Sequence, residues 1–153
     1  MATLQKQKIT PFLWFEKGGK EAATYYSGIF PDSKVLSSTP MVTTFQLCGQ
    51  QFSILEAGPH HPFNDAISFY VHCVDQAEVD YYWNTFIHDG GTESMCGWLQ
   101  DKYGVRWQII PDALIQLTND TDPTRAKRVI DAMLKMRKIV VADLEAAYNN
   151  HTT

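Results

Sequence analysis

The chain has 153 residues, of which 44% are hydrophobic and 20% charged, so it has apolar material for a packed core and is not of disordered composition. Its formal net charge of −4 argues against a general phosphate-binding surface, because nucleic-acid affinity depends on clustered Lys and Arg. No run of about 18 apolar residues is present, so no membrane span is expected.

Met1 to Lys8 is polar and has no apolar h-region, which predicts a leader ahead of the first strand and not a secretory signal. Ile9 to Phe15 is short, apolar and aromatic and predicts a strand, with Pro11 at its start or edge. Gly18 and Gly19 mark a turn. Ala22, Tyr25, Tyr26, Ile29 and Phe30 recur at helical spacing over Glu21 to Phe30, and Pro31-Asp32 ends that run. Three strands follow, at Lys34 to Thr39, Val42 to Leu47 and Gln51 to Leu55, with a tight turn at Gly49-Gln50. The order is β-α-β-β-β.

Gly58 to Pro62 reads as a linker, and the pattern then restarts. Ala66 to Cys73 predicts a strand, Gln76 to Ile87 a helix with Val79, Tyr82, Trp83 and Phe86 on one face, and Glu93 to Leu99 strand material. Asp101 to Gly104 is a turn, and Val105 to Ile110 the last strand. Glu21 to Tyr26 lies 57 residues before Glu78 to Trp83, and Gly49 to Leu55 lies 55 residues before Gly104 to Ile110. The shared order and near-equal offsets indicate a duplicated module.

The tail differs. Asp122 can cap a helix with Pro123 at its first position, and Ala126, Val129, Ile130, Met133 and Leu134 form an apolar stripe. A second short helix is expected over Val141 to Tyr148. These faces must dock either on the domain itself or on a partner. The late basic residues, from Arg125 to Lys138, read as a solvated helix face.

The expected fold class is α+β: two βαβββ modules (about 9–57 and 66–111) forming a curved mixed sheet with helices on its convex side, plus a helical tail (about 123–148), in one domain. The stretches Ile9 to Phe15, Glu21 to Ser33, Phe63 to Phe69, Val79 to Trp83 and Cys96 to Gln108 resemble the PhnB-like branch of the vicinal-oxygen-chelate (glyoxalase/bleomycin-resistance) superfamily. The tail around Met133 to Met136 is similar too, so the resemblance runs from Ile9 to Tyr148. Members of the branch have often been labelled 3-demethylubiquinone-9 3-methyltransferase. Methyl transfer from S-adenosylmethionine ordinarily uses a Gly-rich strand-to-helix turn, and Gly18-Gly19 lacks the spaced glycines. The resemblance also implies a homodimer.

Metal-dependent relatives hold one divalent ion with His, Gln or Glu from both modules. Matched spacing puts those positions near Pro11, Ser53 or Leu55, Ala66 and Gln108. Pro11 and Ala66 offer no ligating side chain, Ser53 is a poor ligand, and Gln108 alone makes no site. No metal or other cofactor is therefore expected, although Glu56, His60, His61 and His72 are alternative donors.

Strand alternation divides the remaining candidates. With Phe12, Trp14, Phe52, Ile54, Phe69, Val71, Trp107 and Ile109 toward the helices, the concave face carries Leu13, Phe15, Ser53, Leu55, Ser68, Tyr70, His72, Arg106 and Gln108. Cys96 and Trp98 lie in a segment expected to cross the site mouth. Such a face suits a small apolar or aromatic ligand, or simply plugs the sheet. Two other classes compete: a metal-dependent glyoxalase- or dioxygenase-type enzyme using Gln108 and Glu56, and an interaction protein working through the tail. An odd count of three cysteines without a CxxC pair points to the reducing cytoplasm. Neither nucleic acid nor membrane is an expected partner.

Overall fold

A computed structural model describes residues 7–151 of the chain. Most of the expected leader, residues 1–6, lies outside that range. The elements run β1 (Phe12–Phe15), α1 (Gly19–Ile29), β2 (Lys34–Ser38), β3 (Val42–Leu47), β4 (Gln50–Glu56), β5 (Phe69–Cys73), α2 (Gln76–His88), β6 (Thr92–Glu93), β7 (Trp98–Gln100), β8 (Arg106–Pro111), α3 (Asp112–Thr118), α4 (Pro123–Met133) and α5 (Val141–Tyr148). The chain divides into two compact units, Met1–Phe63 and Asn64–Thr153.

Each unit holds a four-stranded mixed sheet, ordered β1-β4-β3-β2 in the first and β5-β8-β7-β6 in the second. The first strand of each unit pairs in parallel with its last, and the other pairings are antiparallel. The repeat seen in sequence is thus a repeat of topology. Its matched positions are matched in burial as well: Phe52 with Trp107 and Ile54 with Ile109 are all buried, as are Ala22 with Val79 and Tyr26 with Trp83.

In the first unit α1 packs on the face that carries Ile54. Gly19 sits so close to that strand that a Cβ there would come within 2.6 Å of the Ile54 side chain. Phe45 stacks between Tyr26 of α1 and Phe52 of β4, with ring centroids 6.2 and 5.6 Å away. In the second unit Phe86 of α2 stacks on Trp107 at 5.0 Å. α2 starts where local chemistry says it should, since the Asp75 carboxylate accepts the Glu78 N–H and the Glu78 carboxylate accepts the Val74 N–H.

Several boundaries differ from expectation: β1 begins at Phe12 and not Ile9, and β5 at Phe69 and not Ala66, which lies in a turn. The Gly18-Gly19 turn is half helix, because α1 begins at Gly19. Glu93 to Leu99 is not one strand but two short ones, β6 and β7, separated by a turn. α3, directly after Pro111, was not foreseen. Seven residues give it too little periodicity to announce itself.

The tail docks within its own unit. Ile110, Leu114, Val129, Ile139 and Leu144 form one buried cluster, with Leu117, Met133, Met136 and Tyr148 packed against it. The segment between α4 and α5 is pinned to the body of the unit by backbone bonds from Cys96 to Met136 and from Gly97 to Arg137, both 2.8 Å. The Gln76 amide grips the same segment twice, donating to the Ile139 carbonyl and accepting from the Val141 N–H. Gly97 is the residue that permits this approach: its φ is +82°, and a Cβ would meet Ile110 and Ile139.

Candidate functional site

The faces turned away from α1 and α2 carry most of the candidate residues. In the first unit the strand register corrects the expected alternation of β1. Leu13 pairs with Ile54 and Phe15 with Glu56, so both lie on the side of α1, and both are buried. Phe12 and Trp14 lie instead with Ser53 and Leu55 on the opposite face, where Phe12 is 58% exposed. In the second unit Tyr70 pairs with Gln108 and Gln100 with Arg106, on the side away from Trp107 and Ile109.

The polar groups of this first face are engaged locally. The Ser53 hydroxyl is 3.0 Å from that of Thr44, and the Ser53 N–H donates to the Pro11 carbonyl. Trp14 donates its indole N–H to the Gly58 carbonyl, and His61 stands edge-on to its ring at 4.6 Å, with His60 beyond at 6.4 Å. The histidine pair therefore packs on Trp14. Glu56 does not join it. Its carboxylate accepts the Gly18 N–H at 2.9 Å and so caps the start of α1 from the neighbouring strand. An open depression of about 630 Å³ lies beside that cap, lined by Lys17, Lys20, Glu21, Ser38, Thr39 and Glu56 among others. It shares none of the face residues.

The second face is richer. Register places Tyr70 opposite Gln108, His72 opposite Ile110, Trp98 opposite Gln108 and Gln100 opposite Arg106. Gln108 donates to the Ser68 hydroxyl at 2.7 Å, and the Tyr70 and His72 rings lie 4.7 Å apart. Burial pushes the Tyr70 phenol above its ordinary pKa, and the Asp112 carboxylate adds to this, so the hydroxyl stays protonated at neutral pH. Arg106 donates from Nε to Asp65 at 2.8 Å and from Nη1 to the Gly104 carbonyl at 2.7 Å. A cleft of about 200 Å³ opens at this end of the face, bounded by Asp65, Thr92, Glu93, Ser94, Trp98, Leu99, Gln100 and Arg106. Trp98 and Arg106 of the expected set thus meet at one cavity.

Two residues that shape the cleft were not anticipated as more than turn or loop. Asp65 is the counter-ion of Arg106 across 41 positions of sequence, a separation that no local pattern reveals. Asp101 is 2% exposed and holds the β7–β8 turn. One of its oxygens accepts from the Tyr103 and Val105 N–H groups, and the other accepts the Trp107 indole N–H. An Asp three residues before a Gly was the available signal.

Cys96 lies under the tail segment. It is half-buried, has φ +59°, and donates its N–H to Met136. Among the described residues no hydrogen bond or ion pair joins it to Arg106 or His72. Cys73 is fully buried, and burial pushes its thiol up to about 12, with the Glu78 and Asp112 carboxylates contributing. Titration with a disulfide reagent at pH 8 should therefore consume exposed Cys48 rapidly and leave Cys73 unmodified until denaturant is added. Fast modification of Cys73 in the folded chain would contradict this burial.

Among the described residues no group of three or more His, Cys, Asp or Glu side chains converges as a metal site would require. At the positions matched to the metal ligands of relatives, Pro11 and Ala66 have no donor side chain, and the Ser53 and Gln108 side chains are bonded to Thr44 and Ser68. This donor set does not fit the usual ion.

The profile of a family described as 3-demethylubiquinone-9 3-methyltransferase matches residues 7–110. A protein from Bacillus cereus, titled as such a methyltransferase and as a PhnB protein, is 33% identical over 69% of this chain and 99% of its own, with a TM-score of 0.63. The chain belongs to the PhnB-like branch of the vicinal-oxygen-chelate superfamily. More distant structures share the fold. A Pseudomonas aeruginosa protein is 17% identical over 69% of this PhnB-like chain and 98% of its own, with a TM-score of 0.56. The fosfomycin resistance protein FosX of Listeria monocytogenes is 15% identical over 67% and 89%, with a TM-score of 0.51. No curated protein matches. The profile match ends at residue 110, before α3, so the resemblance traced through the tail lies beyond it.

Proposed function

We propose that this PhnB-like protein binds a small, apolar or aromatic molecule on the open face of its second unit, without the metal triad of its chelating relatives. The observation that carries the reading is the state of the donors. The one ligand type retained at a matched position, Gln108, is hydrogen-bonded to Ser68, and Pro11 and Ala66 supply nothing to join it. Around Gln108 the face presents Tyr70, His72 and Trp98, and it opens into the cleft beside Arg106. Aromatic walls with a few placed polar groups are what a small-molecule site needs.

The family's methyltransferase description is not carried over to this chain. Gly18-Gly19 offers no cradle for a cofactor, since Glu56 takes the Gly18 N–H and Ile54 fills the space beside Gly19. The tail helices bury Val129 and Leu144 within their own unit, while Ile130 and Leu134 of the apolar stripe stay exposed. An odd count of three cysteines without a CxxC pair supports a cytoplasmic setting, and the family resemblance supports a homodimer.

The test joins elemental analysis to a thermal-shift screen of small aromatic compounds, because a ligand that binds the native state raises its melting temperature. Protein purified without chelator should carry well under one transition metal per chain, and melting shifts should survive EDTA. Stoichiometric metal that leaves with Gln108→Ala, taking ligand binding with it, would overturn the reading in favour of a metal-dependent enzyme.

A further inference from the structure

Given small-molecule binding on that face, and resting on that reading, we infer that the cleft of the second unit takes a singly charged aromatic acid. The ring lies against Trp98, and the carboxylate replaces Asp65 on Arg106.

The two halves of the Arg106–Asp65 pair sit in different surroundings. The Arg106 side chain is 18% exposed, whereas that of Asp65 is 80% exposed. A cation so far withdrawn from water needs an anionic partner, since leaving it unpaired is costly. Asp65 supplies one, but from solvent, and an exposed carboxylate holds such a pair weakly. An incoming carboxylate can therefore take its place, and Asp65 can return to water at little cost. The guanidinium is already aimed, because Nη1 is fixed on the Gly104 carbonyl. Its Nη2 has no partner among the described residues, so Nε and Nη2 can receive the two oxygens of one carboxylate.

Size and charge narrow the class. A cleft of about 200 Å³ lies below the range of roughly 300–1,000 Å³ usual for drug-sized ligands, which limits it to a molecule of about one ring. Trp98 supplies an aromatic wall, and register puts it on the same face as Arg106. Glu93 also borders the cleft, bonded to the Trp83 indole and to Arg137. Its carboxylate opposes a second negative charge on the ligand. Among the described residues Arg106 is the one cation lining the cleft, so a monoanion balances the site and a dianion does not.

Benzoate and its neutral isostere benzamide separate charge from ring shape. Each is titrated into the full chain and followed by amide and indole NMR shifts, in wild type, Asp65→Asn and Arg106→Gln. Benzoate should bind roughly tenfold or more tightly than benzamide, the factor expected for one charge-assisted pair. Asp65→Asn should tighten benzoate several-fold by removing its competitor. Arg106→Gln should abolish the preference and leave benzamide unchanged. Should Arg106→Gln not fold, Asp65→Asn decides alone, since it alters only an exposed side chain. Unchanged or weaker benzoate binding in Asp65→Asn overturns the inference. Equal binding of the two probes also overturns it but leaves binding on the open face standing. Absence of cleft shifts with either probe overturns the inference, while the broader reading falls only on the metal and thermal-shift results.

Discussion

Asp101→Ala is expected to destabilise the protein by about 3–5 kcal/mol, which lowers the melting temperature by roughly 8–15 °C in a chain of this size. Asp101 is 2% exposed and accepts hydrogen bonds from the Tyr103 and Val105 N–H groups and the Trp107 indole. Two of those bonds, to Val105 and Trp107, are buried, and a buried donor left without a partner costs about 1–3 kcal/mol. The conservative variant sharpens the point. Asp101→Asn keeps an oxygen for the two backbone donors but turns an NH2 toward the Trp107 N–H, so it should lose less, about 2 kcal/mol. Urea unfolding followed by tryptophan fluorescence gives both values. Asp101→Ala within 0.5 kcal/mol of wild type, roughly the scatter of ordinary surface changes, would show that the carboxylate does not hold the turn. The consequence reaches function, because the turn joins β7 to β8. Those strands carry Trp98, Gln100, Arg106 and Gln108, so a loosened turn should also weaken any ligand held on that face.

What could be read from the sequence follows from how local each signal is. The start of α4 was legible to the residue because its cap is adjacent: Asp122 accepts from Thr124 and Arg125, with Pro123 at the first helical position. α1 was not, because its cap comes from Glu56, 38 residues away on another strand. The duplicated module was legible because two matches preserved order and offset. The phase of β1 was not. All four residues from Phe12 to Phe15 are apolar, so nothing in the strand marks which side is wet. In the second unit His72, Arg106 and Gln108 alternate with apolar residues, and that alternation marks which side is wet. The same limit governs the cleft. Arg106 and Trp98 could be listed as candidates, but pairing with Asp65 and the boundary formed by Thr92 to Ser94 depend on how the strands fold back.

Removal of Pro123 to Thr153 should unfold the second unit and not merely strip a docking surface. Val129, Ile139 and Leu144 are fully buried and would be lost from the cluster. At about 1.5–3 kcal/mol for each buried side chain of this kind, their loss removes about 5–9 kcal/mol. That compares with a whole-protein stability of about 5–15 kcal/mol. The deletion also bares Ile110 and Leu114, and it takes away the acceptors of the Cys96 and Gly97 N–H groups and both partners that Gln76 holds on the tail segment. The truncated chain should bind a hydrophobic dye, lose its cooperative urea transition and aggregate at concentrations where the full chain stays dispersed. A truncated protein with an unchanged urea midpoint would mean that the tail cluster contributes nothing to stability. A milder probe separates packing from partnership. Leu144→Ala should cost about 2–5 kcal/mol through the cavity it leaves, whereas Leu134→Ser, at a position 56% exposed, should leave the midpoint within about 0.5 kcal/mol of wild type. That difference follows from which side of the tail faces its own domain, and it identifies Leu134 as a place where binding to another protein can be tested without disturbing the fold.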